Sequence, residues 1–412
     1  MKVRGLGVTD RGSVRRSNED AIVCREDIGL FAVCDGMGGR AAGEVASRLA
    51  AETVERFFLE RRAEMAAVDA ASEAGQARIL EWVRDAIVAA STAIHEVARS
   101  GQGRGGMGTT TTLAVVKDDR MFMGHVGDSR LYLCRDGELF QLSEDHSHLA
   151  VLLKIGLVSP AEAPGHPAQA QLTRAVGLQP SVEVDTMAVD LVLGDLFLLC
   201  SDGLSRYMDD DAPVREILRA TTDASIAPAP ARLIQLAVDA GGEDNISAVV
   251  MRVGPDAGRE RRDAERAAQV SLCFDALKRL ALFRNLSMKE LMQVVDVLQL
   301  EVRDAGDTVI REGEAGTSLY VIVDGDLEVT RGGKRLAELG AGSHFGEMSL
   351  LNARPRSASV VTRSPSRLLV LERERFARLL RGNAELGAKL LLAIARVLSQ
   401  RLDETSDLLG DE

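Results

Sequence analysis

The sequence predicts two α+β units joined by a charged segment, and three observations carry that prediction. Short apolar runs rich in β-forming residues alternate with long amphipathic stretches as far as Gly254. The stretch Gly254 to Gln269 (GPDAGRERRDAERAAQ) then carries no large apolar side chain and reads as a solvated linker or a short exposed helix. Beyond it, helical spacing gives way to short strands punctuated by glycine and then to a closing helix. The expected division is a first domain over residues 1–254, a charged linker over 255–270 and a second domain over 271–405.

The elements follow in order. Met1 to Gly12 reads as a strand and turn, and Leu30 to Cys34 as a buried strand that ends at Asp35. Helical spacing covers Gly43 to Phe58, and Leu80, Val83, Ile87, Ala90, Ile94 and Val97 form one apolar stripe between Ala77 and Ala98. Strands are expected over Thr109 to Val116, Met121 to Val126 and Leu131 to Leu133, then Glu138 to Leu142 after the turn Arg135-Asp136-Gly137. Leu196 to Cys200 and Ile246 to Val253 are two further buried strands. In the second domain, helices are expected over Leu272 to Phe283 and Leu291 to Leu298. Gly306, Gly313, Gly325, Gly340 and Gly342 mark the strand turns, and Leu386, Leu390, Ile394, Val397 and Leu398 mark a helix to about Leu402.

Composition narrows the class. A chain of 412 residues with 46% hydrophobic and 27% charged content suits a soluble protein of two domains. A net charge of −12 argues against nucleic acid as partner. No apolar run approaches the roughly 18 residues of a membrane span, and Met1 to Gly12 lacks a signal-peptide core. Five cysteines without a C-x-x-C pair argue against a disulfide framework or a zinc site, so the chain reads as cytoplasmic.

The chemistry lies in the aspartates. Asp35 and Asp202 each follow an apolar run and precede a glycine, Asp128 follows Gly124-His125-Val126-Gly127, and Asp244 precedes the strand from Ile246. A carboxylate where a strand leaves the core is costly unless something binds it. Several such carboxylates converging at strand ends are what a hard divalent cation needs. Taken singly, Asp128 reads equally well as a turn residue, and Arg15-Arg16 as a solvated basic pair.

Taken together, the motifs are more specific. They comprise Thr9-Asp10-Arg11-Gly12, Val14-Arg15, Asn18-Glu19-Asp20, Asp35-Gly36-Met37-Gly38-Gly39 and Gly43-Glu44 with Ala46-Ser47. Gly108-Thr109-Thr110, Gly127-Asp128-Ser129-Arg130, Glu144-Asp145-His146-Ser147, Leu172-Thr173-Arg174-Ala175, Ser201-Asp202-Gly203-Leu204 and Asp244-Asn245-Ile246-Ser247 continue the series. In this order they resemble the bacterial metal-dependent serine/threonine protein phosphatases of the PPM family. The resemblance implies a β-sandwich flanked by helix pairs, with Mn²⁺ or Mg²⁺ at one end, two ions and a weaker third site. Asp35 would bridge two ions, with the Gly36 carbonyl helping to hold one. Asp202 and Asp244 would complete the second, Asp128 with Asp202 would match the third, and Asp20 would act mainly through water. Arg15 would hold the substrate phosphate, a task suited to a planar, permanent cation. Where some members place histidine after Asp-Gly, this chain has Met37, which carries no transferable proton, so the general acid is another group. Ser147 to Gln179, with Pro160, Pro164 and Pro167, matches the family's mobile flap, and His146 and His148 read as turn and flap residues.

The second domain carries Phe345-Gly346-Glu347-Met348-Ser349-Leu350-Leu351 and then Pro355-Arg356-Ser357-Ala358-Ser359-Val360. A glycine before a short helix, an arginine opposite and a nearby glutamate suit a sugar phosphate of single charge. Residues 272–403 resemble a cyclic-nucleotide-binding domain, a β-roll with helices. By that resemblance Glu347 would bind the ribose 2′-hydroxyl and Arg356 the cyclic phosphate, assisted by Gly346 and Ser357. The closing helix would cover the base and can form a homodimer in this family. The expected function is hydrolysis of phosphoserine and phosphothreonine on phosphorylated proteins, regulated by a cyclic nucleotide, with cyclic AMP favoured over cyclic GMP. The rival reading is a non-catalytic nucleotide sensor with a phosphatase-like interaction domain. The complete set Asp20, Asp35, Asp128, Asp202 and Asp244 speaks against it.

Overall fold

A computed structural model describes the chain except residues 39–41, 101–105, 164, 223–224, 257, 259, 281, 353 and 411–412. Gly39 of the glycine-rich motif and Pro164 of the flap therefore lie outside the described residues. The chain divides into two units, Met1–Ala264 and Glu265–Glu412.

The first unit opens with strands β1 (Lys2–Asp10), β2 (Asp20–Arg25) and β3 (Leu30–Met37), then helices α1 (Ala42–Glu60), α2 (Arg62–Ala67) and α3 (Glu73–Arg99). Strands β4 (Gly108–Thr109), β5 (Thr111–Lys117), β6 (Arg120–Val126), β7 (Arg130–Arg135) and β8 (Glu138–Gln141) form the central meander. Helix α4 (His148–Lys154) follows, then strands β9 (Asp185–Asp190) and β10 (Leu196–Cys200) and helices α5 (Asp202–Ser205), α6 (Ala212–Arg219) and α7 (Pro228–Asp239). Strand β11 (Ile246–Gly254) closes the sheet.

Two antiparallel sheets result, one ordered β1-β11-β10-β7-β8 and the other β2-β3-β5-β6-β9. Contacts of β1 with β2 and of β11 with β2 and β3 bring the sheets face to face as a sandwich. Helices α1 and α3 pack on β3 and β6, and α7, with α6 against it, packs on β11 and β1. One core joins Leu30, Ala32 and Leu113 to Val54, Val83 and Ile87 of the helices, and a second joins Leu198, Val250 and Leu204 to Leu218 and Leu233. Sheet residues covered on both faces explain the continuous apolar runs, and the helix stripes explain the spacing of 3.6.

Two boundaries beside Asp35 differ from the sequence reading, as does the helix expected over Leu272 to Phe283, where the observed helix ends at Arg279. Asp35 does not end its strand: β3 runs on to Met37 and pairs Asp35 with Asp20 of β2. The run expected as one strand from Thr109 is broken at Thr110, which turns to bond the Asp35 backbone. Four threonines in a row are uniformly β-prone and hide that break.

Helix α8 (Glu260–Arg279) begins within the segment that the sequence marks as charged linker. Alanine, glutamate and arginine are strong helix formers, so a charged composition does not exclude a helix. In the second unit, helix α9 (Met288–Val297) starts on a capping box in which Ser287 and Glu290 bond each other's backbone amides. Strands β12 (Gln299–Arg303), β13 (Thr308–Ile310), β14 (Ser318–Asp324), β15 (Leu327–Arg331), β16 (Lys334–Leu339) and β17 (His344–Phe345) lead to the one-turn helix α10 (Met348–Leu351). Strands β18 (Ser359–Thr362) and β19 (Ser366–Glu372) precede helices α11 (Arg373–Gly382) and α12 (Ala384–Gly410). The sheets β12-β19-β14-β17 and β13-β18-β15-β16 close on Ile322, Leu327, Phe345, Val360 and Leu368. On α12, Leu386, Leu390 and Ile394 are buried, whereas the side chain of Leu398 lies outside the described residues. Among the described residues no helix is long and apolar enough to cross a membrane.

Candidate functional site

The aspartates singled out by sequence gather at one end of the sandwich. Asp20 opens β2 and faces Asp35 across the β2–β3 pair, Asp128 follows β6, Asp202 opens α5 after β10, and Asp244 precedes β11. Like charges placed directly opposite on adjacent strands repel. Burial and then the neighbouring Asp20, Asp202, Asp128 and Asp244 raise the Asp35 carboxyl well above its ordinary range. Burial pushes Asp20 up to about 7, with Asp202 and Asp244 adding to the shift and hydrogen bonds from Ser247 and Ser201 opposing it. Asp128 is also pushed up to about 7, by burial and then by Asp202 and Asp145.

Backbone and side-chain hydrogen bonds hold this strained group. The Thr110 amide donates to the Asp35 carbonyl at 2.8 Å, and the Thr110 hydroxyl accepts from the Asp35 amide at 2.9 Å. That hydroxyl lies 2.7 Å from Ser129 Oγ, next to Asp128. Ser247 donates to Asp20 Oδ2 at 2.7 Å. Asn245 donates to the carbonyls of Arg11 (3.0 Å) and Ser17 (2.9 Å) and accepts from the Glu19 amide (2.8 Å), stitching the β1–β2 loop under the cluster. Gly36 is required here. A Cβ on it would strike the carbonyls of Gly43 and Glu19, so only glycine lets the backbone pass.

Arg15 is exposed and places Nη2 2.8 Å from Asp244 Oδ2. Sequence reasoning missed a second guanidinium. Arg206 Nη2 lies 2.6 Å from Asp202 Oδ2 and 3.3 Å from Asp244 Oδ2. Its only sequence signal is an arginine four residues after an aspartate, an ordinary pairing on any helix. His146, expected as a turn residue, has a buried ring. Nδ1 accepts from the Gly127 amide at 3.1 Å, and Nε2 lies 3.4 Å from Asp185. That pair with His146, and then Arg174, holds the Asp185 carboxyl below its ordinary range. His148 is the first residue of α4 and is exposed.

The donor set fits a hard divalent cation. It consists of carboxylate oxygens, of which those of Asp20, Asp35 and Asp128 resist ionisation, and Asp20 Oδ1 is buried without a hydrogen-bond partner. Among the described residues no three acidic, histidine or cysteine side chains close on one point, and arginines stand against Asp202 and Asp244.

In the second unit, Arg356 is buried under the β-roll. Its Nη1 donates to Ser349 Oγ at 2.7 Å and its Nη2 to the Ser318 carbonyl at 2.9 Å. Burial lowers its guanidinium pKa, against the pull of Tyr320 and Glu347. Glu347 is buried at the N-terminus of α10, and Ser357 is exposed. Gly346 has φ +81°, and a Cβ there would meet Arg356 Nη1 at 2.6 Å and the Ser318 carbonyl at 2.7 Å. Of the four residues expected at the cassette, Gly346 and Arg356 are thus in contact, and the Glu347 charge acts on Arg356.

Comparison with known proteins finds a family match for each unit. Residues 11–235 match the family model for protein phosphatase 2C, and residues 301–383 match that for a cyclic nucleotide-binding domain. The serine/threonine phosphatase Stp of Listeria monocytogenes is 36% identical over 259 residues, which cover 62% of this chain and 97% of that protein. The crystal structure of the Mycobacterium tuberculosis serine/threonine phosphatase PstP/Ppp has a TM-score of 0.54 at 34% identity, covering 62% of this chain and all of that one. The PstP catalytic domain in complex with two manganese ions has a TM-score of 0.53 at 34% identity, covering 61% of this chain and 99% of that one.

The raised carboxyls give a signed pH dependence. Between about pH 4 and pH 7 the folded chain holds protons on Asp20, Asp35 and Asp128 that the unfolded chain has released, so stability falls as pH rises through that window. In EDTA the first unit should therefore melt lower at about pH 8 than at about pH 5.5, as read by calorimetry, and Mn²⁺ should remove the deficit at the higher pH. A melting temperature that rises with pH in EDTA would contradict this electrostatic account.

Proposed function

The chain belongs to the protein phosphatase 2C family, and on that premise we propose that it hydrolyses phosphoserine and phosphothreonine on protein substrates with Mn²⁺ or Mg²⁺ bound at the aspartate cluster. The carrying observation is the gathering of five carboxylates at one end of the sandwich, where their repulsion needs a multivalent cation. Asp35 would bridge two ions, with Asp20 acting through water and the Gly36 carbonyl on one side, and with Asp202 and Asp244 on the other. Asp128, beside Asp202, would serve a third, weaker site. Bound there, the ions would supply a water-derived nucleophile at neutral pH and neutralise charge on the phosphoryl group. Arg15 is exposed on a solvated loop, so its guanidinium can leave Asp244 and take the substrate phosphate. Met37 offers no proton, so the leaving alcohol is protonated by another group.

The second unit would bind a cyclic nucleotide, with Arg356 on the phosphate, Glu347 on the ribose and Gly346 and Ser357 lining the phosphate. Its occupancy would regulate the phosphatase, since a ligand that favours one state of a chain shifts every activity that depends on that state. Cyclic AMP is preferred to cyclic GMP in this reading. A cytoplasmic setting accords with five cysteines that include no C-x-x-C pair. Leu391 and Leu392, exposed on α12, support that helix as a dimer contact.

With Mn²⁺ or Mg²⁺, the purified protein should release phosphate from a phosphothreonine peptide, and EDTA, Asp35→Ala or Asp202→Ala should each abolish turnover. Arg15→Ala should keep its metals and lose ten- to hundredfold in efficiency, the equivalent of a charge-assisted hydrogen bond of about 1.5–3 kcal/mol. Full activity in EDTA would refute the assignment.

Titration calorimetry of the full chain with each cyclic nucleotide tests the second site. Arg356→Ala should lose more affinity than Glu347→Gln, because it leaves the phosphate without its counter-charge. An absence of heat with both nucleotides would count against that site.

A further inference from the structure

The roles assigned above leave out Arg206. It leaves helix α5 four residues beyond Asp202, and the helical rise brings its guanidinium back over that carboxylate. Nη2 spans Asp202 Oδ2 at 2.6 Å and Asp244 Oδ2 at 3.3 Å, and Nη1 lies 3.8 Å from Glu243. The side chain is 28% exposed, against 53% for Arg15, which reaches the same Asp244 oxygen from solvent. Solvent screens Arg15 and leaves it free to move, whereas Arg206 is fixed by two carboxylates at once. The second oxygen of Asp244 is also committed, accepting from the Asn245 amide at 2.9 Å.

We infer that Arg206 is the built-in counter-cation of the Asp202–Asp244 half of the cluster, and that it lowers the affinity of that half for a divalent cation. The inference rests on the metal-dependent phosphatase reading. A guanidinium and a dication draw on the same two carboxylates, so each weakens the hold of the other, whether Arg206 stays on the Oδ2 atoms or is displaced from them. Arg206 also orients the two carboxylates, and loss of that orientation alone would weaken metal binding. The two effects have opposite signs. At these distances the charge term is the larger, because a full positive charge stands within hydrogen-bond reach of both ligands. Its consequence is a site whose occupancy follows the free concentration of the ion rather than trapping it.

The test is Mn²⁺ titration calorimetry of the full-length protein without substrate, comparing wild type, Arg206→Gln and Arg206→Lys. Arg206→Gln keeps a polar side chain and removes the charge, so its weaker Mn²⁺ event should tighten on the order of tenfold. Arg206→Lys keeps the charge and should bind as wild type does. Wild-type binding with Arg206→Gln unchanged or weaker overturns the inference and leaves the phosphatase reading intact. Equal tightening in both variants assigns the effect to geometry and also overturns it. Absence of Mn²⁺ binding in all three proteins overturns the metal reading and the inference together.

Discussion

The repulsion among Asp20, Asp35, Asp128, Asp202 and Asp244 is the constraint on which the first unit is built. Each carboxylate sits where a strand enters or leaves the core, and two of them face each other across one strand pair. Left alone, such a group favours protonation or opening of the loops that carry it. The fold resists opening by anchoring the backbone rather than the carboxylates. Thr110 grips both backbone groups of Asp35, Asn245 draws in the loop before Asp20, and His146 bonds the Gly127 amide before Asp128. Asp20 Oδ1 is thereby left without a partner, while arginines attend Asp202 and Asp244.

This division of labour links packing to function. Two apolar cores fix the sandwich, and the sandwich fixes which strand ends meet. Polar side chains with one to three hydrogen bonds each then set the backbone at those ends. A ligand set held on strands and their immediate neighbours is more sharply placed than one held on free loops. In the second unit the same logic recurs on a smaller scale. Arg356 is buried and held by a carbonyl and a hydroxyl, so it is already aimed before any anion arrives.

Much of this was legible in the sequence, and unevenly so. The aspartates announced themselves because a carboxylate and a glycine at the end of an apolar run have few bland explanations. The helices α1 and α3 were legible from their apolar stripes. Arg206 was not, since its role depends on Asp244, which is 38 residues away and reaches it only through the pairing of β10 with β11. The place of Thr110 was hidden among four threonines of equal propensity, and the buried role of His146 depends on Gly127 and Asp185 from distant strands. Helix α8 is one of two readings that its segment allows, because charge suggests solvent while the same residues favour helix. Local chemistry is written in short motifs, whereas contacts between distant segments need the fold.

The central claim is that the five carboxylates form one cation site at the end of the sandwich. Anomalous diffraction from crystals of the full chain grown with Mn²⁺ addresses it most directly. The account predicts two strong manganese peaks that share Asp35, with Asp202 and Asp244 coordinating one of them and the Gly36 carbonyl the other. Manganese located elsewhere, or no peak within coordination distance of Asp35 at saturating Mn²⁺, would contradict it.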